Sequence, residues 1–204
     1  MKAKDALKPI GSAASLLWQD WPNQVLVSLV AILAGLTLVL YPAAIFGVYA
    51  DALDLTHGIR TGIIGFWQGF KSYFKQNLVW GLANTLVLAG VGFNVWFYTN
   101  SDYAIAPVLL VLIILLGVFW LIWQFFTLAC FFLQEEKSLK LAWKNGLAIL
   151  LGNPLYAFII GLVALILVFL SVRYYIPLFI GSLPLIALLH LLAVQKTLPE
   201  AEGD

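Results

Sequence analysis

Long stretches without a charged side chain are the feature that most limits how this chain can fold. Four of them cover residues 21–50, 76–101, 103–134 and 145–172, and a fifth covers 174–195. The hydrocarbon core of a bilayer is about 30 Å thick and needs roughly 20 apolar residues per crossing helix. Charged residues make up 10% of the chain, whereas a soluble domain carries about 25%. The sequence therefore predicts an all-α, polytopic membrane protein with interfacial amphipathic helices.

The uncharged stretches predict about five transmembrane helices, near residues 25–48, 78–98, 105–130, 147–170 and 176–195. We expect three parts in the chain. Residues 1–23 form an N-terminal interfacial segment, residues 24–195 a single transmembrane helical domain, and residues 196–204 a short polar tail. Pro42 lies in the second half of the first stretch and disfavours a continuous helix there. The sequence thus leaves open whether residues 24–50 cross as one helix.

The positive charges predict how the protein is oriented, because short loops rich in Lys and Arg stay in the cytoplasm. Seven of them fall on one proposed side: Arg60, Lys71, Lys75, Lys137, Lys140, Lys144 and Lys196. We therefore expect a multi-pass protein of the cell (plasma) membrane with a cytoplasmic C-terminus. Five crossings would put the N-terminus outside, and the three lysines at positions 2, 4 and 8 argue against this. The net charge of +1 gives no reason to expect a nucleic-acid partner.

Two segments combine lysines and aromatic or apolar residues at helical spacing. One contains Phe70, Lys71, Phe74 and Lys75, and the other contains Lys140, Trp143 and Lys144. Each lysine of the second segment lies 69 positions after a lysine of the first. Lysines four apart share a helix face, and such a layout is typical of helices at a membrane interface. We expect these residues to form a cytoplasmic contact face, and the common offset allows an internal repeat. The alternative is that any helix entering from the interface carries such residues.

Polar side chains fall inside the predicted spans, and four of them are the candidates for an intramembrane polar role: Asn84, Gln124, Asn153 and His190. An unpaired polar group in hydrocarbon costs several kcal/mol, so each must find a partner. They either join helices or line a path for a substrate, and the first role is favoured. His190 is ionisable, but no Asp or Glu lies inside a predicted span. Proton-driven transport is therefore disfavoured.

Asp51, Asp54, His57 and Arg60 form the densest polar cluster of the sequence, at intervals of three residues. Carboxylates and an imidazole are possible ligands for a divalent metal ion. Each step of three residues turns by about −60° on a helix, so the two ends of the cluster face apart. A solvated helix end is the favoured interpretation. We predict neither a metal site nor a cofactor.

Four glycines follow this cluster at spacings of four, three and four residues: Gly58, Gly62, Gly65 and Gly69. On a helix they would form a stripe that another helix can approach closely. Glycine also disfavours a helix by about 1 kcal/mol per residue. A loop or an interrupted helix is therefore at least as well supported.

Motifs of membrane and soluble enzymes are missing from the sequence. It contains no His-Glu-x-x-His, no Gly-x-Ser-x-Gly and no Gly-x-x-x-x-Gly-Lys-Ser/Thr, which would indicate a metalloprotease, a serine hydrolase or a nucleotide-binding loop. The predicted spans also lack a pair of acidic residues. We therefore expect a protein without catalytic activity and assign no catalytic residue.

The order of several segments resembles the YesL family of bacterial integral membrane proteins. The resemblance covers about residues 24–194 and rests on Leu40-Tyr41-Pro42-Ala43-Ala44, on residues 66–76 (FWQGFKSYFKQ), on residues 133–140 (LQEEKSLK) with Asn145, and on Asn153-Pro154. The chain departs from the family at Ala43-Ala44-Ile45, where the family often has a polar turn. The resemblance implies a bacterial membrane protein of unknown biochemical function, often encoded beside genes for carbohydrate uptake. It implies no catalytic residue.

Together, these observations predict an accessory or scaffold component of a transport system, and through the resemblance a carbohydrate transport system. The alternative is a transporter or channel subunit with a polar path through the helix bundle. The expected partners are the lipid bilayer and either a membrane transport complex or further copies of the chain.

Overall fold

Helices make up almost the whole structure. The computed structural model describes residues 3–37 and 39–197, and it is 85% helical with no strand among the described residues. After a 3₁₀ turn at Ala3–Ala6, the helices are α1 (Leu7–Gln19), α2 (Trp21–Gly35), α3 (Tyr41–Thr56), α4 (Ile63–Ser72), α5 (Phe74–Thr99), α6 (Ala106–Leu133), α7 (Leu139–Gly152), α8 (Pro154–Tyr174), α9 (Ile176–Phe179) and α10 (Ser182–Gln195). The all-α prediction is confirmed.

Prolines decide where several helices begin. A proline occupies one of the first two positions of α2, α3, α6, α8 and α9. Proline has no N–H to donate and its φ already suits a helix, so it is tolerated in the first turn and breaks a helix further inside. Pro42 for this reason starts α3 instead of continuing α2. The predicted first span at 25–48 is two helices, interrupted between Gly35 and Tyr41.

Among the described residues, three helices are long and apolar enough to cross a membrane: α5, α6 and α8. The second and third predicted spans coincide with α5 and α6. The fourth begins at Pro154 and not at 147, because α7 ends at Gly152. The fifth is divided at Gly181 (φ 115°), which leaves α10 with 14 residues, about 21 Å at 1.5 Å per residue. The count of five spans is not confirmed.

Helix α10 lies at the centre of the fold. It packs against α1, α3, α6 and α8, and every residue from Ile186 to Leu191 is buried. Helix α1 runs along it in the opposite direction, so that a Cβ atom added at Gly181 would contact Leu17. Pro9 and Ala13 of α1 are buried in this packing. One face of α1 thus packs on α10, and the interfacial role predicted for residues 1–23 stays a prediction.

The two ends of the described chain meet. The Lys196 ammonium group donates a hydrogen bond of 2.6 Å to the carbonyl oxygen of Asp5. Two residues in such contact lie on the same side of a membrane, which requires an even number of crossings between them. Residues 1, 2 and 198–204, which include Lys2 and most of the predicted polar tail, lie outside the described residues.

Two regions of the molecule differ in packing. Residues 85–119, which we call the outer hairpin, comprise the second half of α5, the connecting turn and the first half of α6. Only Ala106 and Gly117 are buried there. We call the other described residues the inner region. In it, the first half of α5 and the second half of α6 pack among the remaining helices.

The four glycines after the polar cluster have two different roles: two lie in a loop and two lie on a helix. Gly58 and Gly62 have positive φ angles of 78° and 55° and belong to the loop between α3 and α4. Gly65 and Gly69 belong to α4, the helix that packs most extensively on α3. A Cβ atom added at Gly69 would lie 3.0 Å from the carbonyl oxygen of Phe46. The first pair forms a loop, and the second pair permits close helix packing.

Candidate functional site

The two basic segments lie at the same end of the inner region. Tyr73, between α4 and α5, packs edge-on against Phe131 and Phe132 at the end of α6, with ring centroids 5.3 and 5.6 Å apart. The four predicted contact lysines are all exposed: Lys71, Lys75, Lys140 and Lys144. None of them forms an ion pair with a described residue; Lys71 lies 5.8 Å from the centre of the Trp67 ring. We call these four lysines the basic face.

The aromatic residues predicted for this face have different surroundings. Phe74 is 48% exposed and belongs to the face. Phe70 is half-buried and packs against Phe66 and Trp67. Trp143 is also half-buried, and its indole N–H donates to Gln124 inside the helix bundle. The contact face therefore contains fewer aromatic rings than the sequence predicts.

Lys137 contributes to the fold beside the basic face. Its ammonium group donates to the carbonyl oxygens of Phe132 and Gln134 at 2.8 and 2.7 Å. Carbonyl groups at a helix C-terminus lack partners within the helix and attract positive charge. Partial burial lowers the pKa of Lys137. Lys137 stabilises the end of α6. Its ammonium group already has two acceptors within the fold, unlike the four lysines of the basic face.

Gln124 is the centre of a hydrogen-bonded cluster that joins α5, α6 and α7. Its side-chain oxygen accepts hydrogen bonds from Trp80 Nε1 at 2.9 Å, from Trp143 Nε1 at 3.1 Å and from Asn84 Nδ2 at 3.4 Å. The Asn84 oxygen in turn accepts from Trp120 Nε1 at 3.0 Å. We call these five residues the tryptophan–amide centre. Because an unpaired donor in an apolar interior is costly, this centre fixes how the three helices pack.

One donor of this centre has no partner. Gln124 is 2% exposed, and its Nε2 atom has no acceptor among the described residues. Turning the amide over would place its NH₂ group against three N–H donors, so the three bonds determine its orientation. The buried amide of Asn77 and the hydroxyl of Thr127 also lack a partner in the part of the chain that the structure describes.

A cavity of about 290 Å³ lies beside this centre, between α3, α5, α6, α8, α9 and α10. Trp80, Asn84 and Gln124 form part of its wall, and most of the remaining lining is apolar. Ser171 and Ser182 also line it, and their hydroxyl oxygens are 2.8 Å apart. The cavity thus combines apolar walls with a few amide and hydroxyl groups.

The four predicted intramembrane polar residues do not share one path. Asn84 and Gln124 are brought together in the tryptophan–amide centre. His190 is buried in the core of α10, where its Nδ1 atom is 2.8 Å from the Ile186 oxygen and its ring packs on Phe125 and Phe126. Asn153 occupies the junction of α7 and α8. Neither His190 nor Asn153 lines the cavity.

The predicted acidic cluster is also divided. Asp51 and Asp54 both accept a hydrogen bond from the Thr61 hydroxyl, at 3.0 and 2.9 Å. His57 and Arg60 are exposed and do not join them. Instead, the Gln24 amide donates to Asp51 at 3.0 Å and to Asp20 at 3.2 Å.

Burial dominates the electrostatics of this acidic cluster. Desolvation raises the pKa of Asp51 from 3.8 to about 6, against the lowering effect of the hydrogen bonds from Gln24 and Thr61. Among residues 3–37 and 39–197, no group of three or more His, Cys, Asp or Glu side chains is placed to hold a metal ion. The cluster joins α2, α3 and the loop before α4.

No protein-family model matches this chain, and neither a curated protein nor a solved structure is significantly similar to it. The fold alone defines the class: an all-helical chain with three helices that are long and apolar enough to cross a membrane.

Sequence reasoning did not find the tryptophans of the centre, although a signal exists. In an antiparallel helix pair, residues equally far from the turn lie at the same level. Trp80 and Gln124 are equally far in sequence from Asp102, as are Asn84 and Trp120. Combining the two predicted spans on either side of this turn would have paired these residues. The contribution of Trp143 has no comparable signal, because it depends on how α7 packs against α6.

Proposed function

We propose that this chain is a non-catalytic, multi-pass protein of the bacterial plasma membrane, and that it serves as an accessory or scaffold component of a transport system. The basic face is its contact surface for a cytoplasmic partner, and the C-terminus lies on that side. The association with carbohydrate transport is supported by the resemblance to the YesL family alone.

One observation carries this proposal: four exposed lysines from two separate segments lie at the same end of the fold, without an ion pair to a described residue. The contact of Tyr73 with Phe131 and Phe132 holds the start of α5 against the end of α6, and the second segment follows α6 after a short loop. Exposed charges on a rigid surface favour association with a partner of opposite charge and increase its rate. We expect that partner to present acidic side chains.

The test is a variant that removes the charge of the basic face: Lys71→Gln, Lys75→Gln, Lys140→Gln and Lys144→Gln together. After cross-linking in native membranes, we expect it to lose at least tenfold in recovery of the transport component that copurifies with the wild type. The corresponding fourfold Lys→Arg variant keeps the charge and should retain the partner. Lys8→Gln with Arg173→Gln is a second control, since it removes charge elsewhere. Unchanged recovery with the fourfold Lys→Gln variant would contradict the proposal.

The competing proposal is a transporter or channel subunit, and the cavity beside Asn84 and Gln124 is the observation in its favour. The separate positions of Asn153 and His190 weaken it. Purified protein in liposomes should show no flux of sugars or ions above empty liposomes under the accessory proposal. Flux that Gln124→Leu abolishes would favour the transporter.

A further inference from the structure

Helix α4 buries one side and exposes the other. Gly65, Phe66 and Gly69 are buried, and α3 lies so close to them that a Cβ atom added at Gly69 would meet the Phe46 carbonyl oxygen. The opposite side exposes residues spaced three or four positions apart, which therefore share one helix face: Ile64, Trp67, Gln68 and Lys71. We call these four residues the exposed face of α4. Together with Ile63 they line an open groove.

The exposed face of α4 combines apolar side chains with positive charge. Ile64 is 68% exposed and Trp67 42%, and the Lys71 ammonium group lies 5.8 Å from the centre of the Trp67 ring. Residues 55–101 contain Arg60, Lys71 and Lys75 but no Asp or Glu. Apolar side chains next to basic ones on a single helix face are typical of a helix that lies on an anionic membrane surface.

The chain brings this face close to the bilayer. Helix α4 ends at Ser72, and α5, which is long and apolar enough to cross a membrane, begins at Phe74. The exposed residues of α5 are apolar from Leu78 onward over its next turn. Lys71 precedes Leu78 by seven residues, at most about 11 Å along a helix, and the headgroup layer is roughly 5–8 Å deep. A lysine side chain extends several ångströms towards such a layer. Lys71 is therefore within reach of the lipid headgroups.

A phospholipid matches this face better than an acidic protein does. An acidic protein surface offers a partner to Lys71 but none to Ile64. A phospholipid offers both, because its acyl chains accept apolar side chains and its phosphate attracts the ammonium group. Tryptophan rings such as that of Trp67 also favour the boundary between headgroups and acyl chains.

We propose that the exposed face of α4 binds the membrane surface and that Lys71 pairs with the phosphate of an anionic phospholipid. Ile64 and the Trp67 ring lie at the upper ends of the acyl chains. The function proposed above is not required for this binding: the other three lysines of the basic face remain available to a protein partner, while Lys71 contacts lipid.

The binding test uses the full chain, purified and without other proteins, in nanodiscs that consist mostly of phosphatidylcholine. Two probes carry the same photoreactive diazirine near the carboxyl end of one acyl chain: phosphatidylglycerol, which is anionic, and phosphatidylcholine. At equal mole fraction we expect phosphatidylglycerol to label the segment around Ile64 and Trp67 about fivefold more strongly, the effect of one basic residue at an anionic surface. Equal labelling by the two probes would refute the preference for an anionic lipid. Labelling that avoids α4 with both probes would overturn the proposal.

Variants of Lys71 test its pairing with the phosphate. Lys71→Gln should remove most of the preference for phosphatidylglycerol, whereas Lys71→Arg keeps the charge and should retain it. Lys8→Gln is the matched control, because Lys8 is an exposed lysine of α1 outside this face, and it should leave the preference unchanged. Equal losses in Lys8→Gln and Lys71→Gln would mean that net charge attracts the lipid and that this face does not.

The same Lys71→Gln variant separates lipid from protein as the partner. If it kept the preference for phosphatidylglycerol and lost only the copurifying transport component, Lys71 would serve the protein partner and the lipid proposal would be wrong. If it lost the preference and kept that component, the lipid proposal would hold whatever the fate of the function proposed above.

A change at Ile64 tests the apolar part of the face. Ile64→Gln should reduce labelling of α4 by both probes alike, because it weakens insertion among the acyl chains and leaves the charge in place. Circular dichroism checks that the variant is folded. Unchanged labelling of the folded variant would show that Ile64 does not reach the acyl chains and would contradict the proposal.

Discussion

The two halves of helix α6 are both predominantly apolar but have very different surroundings. From Ile122 to Phe132 every residue is buried except Trp123 and Phe125, whereas from Ala106 to Leu121 only Ala106 and Gly117 are buried. Apolar side chains gain little from leaving lipid for a protein interior, so hydrophobicity does not by itself select which half is packed. Small residues and hydrogen bonds must make the difference.

The inner half of α6 has both kinds of contact. Gly161 of α8 and Gly146 of α7 approach it so closely that an added Cβ would lie 2.6 Å from Ile122 and 2.9 Å from the backbone nitrogen of Thr127. Gln124 accepts hydrogen bonds from two other helices. The outer half has one close glycine contact, between Gly117 and Val91. In this molecule, helix packing follows glycine and amide positions.

The largest expected effect concerns which side of the membrane each region reaches. The contact of Asp5 with Lys196 places both ends of the described chain together, and the turn of the outer hairpin lies beyond two long helices. Reporter enzymes fused to the N- and C-termini should give matching signals. The same reporter inserted after Asn100 should give the opposite one. Different signals at the two termini would refute the packing of α1 along α10.

The second prediction removes the central acceptor of the inner region. Gln124→Leu leaves the N–H groups of Trp80 and Trp143 without their acceptor, and each unpaired buried donor costs about 1–3 kcal/mol. We expect a loss of roughly 4 kcal/mol in the free energy of unfolding, measured by denaturation in mixed micelles. Asn94→Leu is the matched control, because among the described residues the Asn94 amide donates only to the Gly90 carbonyl oxygen of its own helix. Its effect should stay within about 1 kcal/mol, and equal losses would contradict the comparison.

These contacts also show how much of the fold the sequence alone predicts. The uncharged runs were sufficient to predict α5 and α6, because their apolar residues continue over a bilayer thickness without an internal proline. Proline is tolerated in the first turn of a helix and not further inside. This rule, which disfavours Pro42 inside a helix, also predicts helix starts near Pro22, Pro107 and Pro154. The number of crossings was not predictable. The sequences of α9 and of the 14-residue helix α10 form one uncharged run that is long enough for a span, although the structure divides it.

The candidate site was predictable in part for a different reason. Asn84 and Gln124 stood out because a polar group in hydrocarbon needs a partner, and the structure pairs them. The lysines stood out by their spacing. Asp20 and Gln24 precede the first predicted span and gave no signal, because the hydrogen bond from Gln24 that links Asp20 to Asp51 depends on the α2–α3 packing. The cavity arises from the packing of six helices and leaves no pattern in the sequence.

The third prediction uses the pH dependence of the inner region. The pKa of Asp51 is near 6 in the folded protein, and its ordinary value is 3.8. Between pH 4 and 6 the folded state therefore binds a proton at Asp51 more tightly than the unfolded state does. Stability is therefore greatest below about pH 4 and falls as the pH rises to 6. The fall due to Asp51 is about 2–3 kcal/mol.

Two variants isolate this contribution. Asp51→Asn should remove most of the decrease in unfolding free energy between pH 4 and 6. Asp102→Asn changes an exposed carboxylate in the turn of the outer hairpin and should leave the decrease as it is. Denaturation at several pH values between 4 and 7.5 measures both. If Asp51→Asn kept the wild-type slope, burial of this carboxylate would not govern the pH dependence.

The smallest effect expected is that of a single methyl group, and its sign differs between the two regions. Gly146→Ala places a Cβ atom 2.9 Å from the Thr127 nitrogen, and since that atom belongs to the backbone of α6, the helices must move apart. We expect a loss of about 1–2 kcal/mol. Gly90→Ala, in the outer half of α5, meets no atom within 4 Å and gains helix propensity, up to about 1 kcal/mol. Denaturation of both variants in the same micelles measures the difference. A loss of equal size at both positions would mean that the outer hairpin is packed against something other than lipid, such as a second copy of the chain.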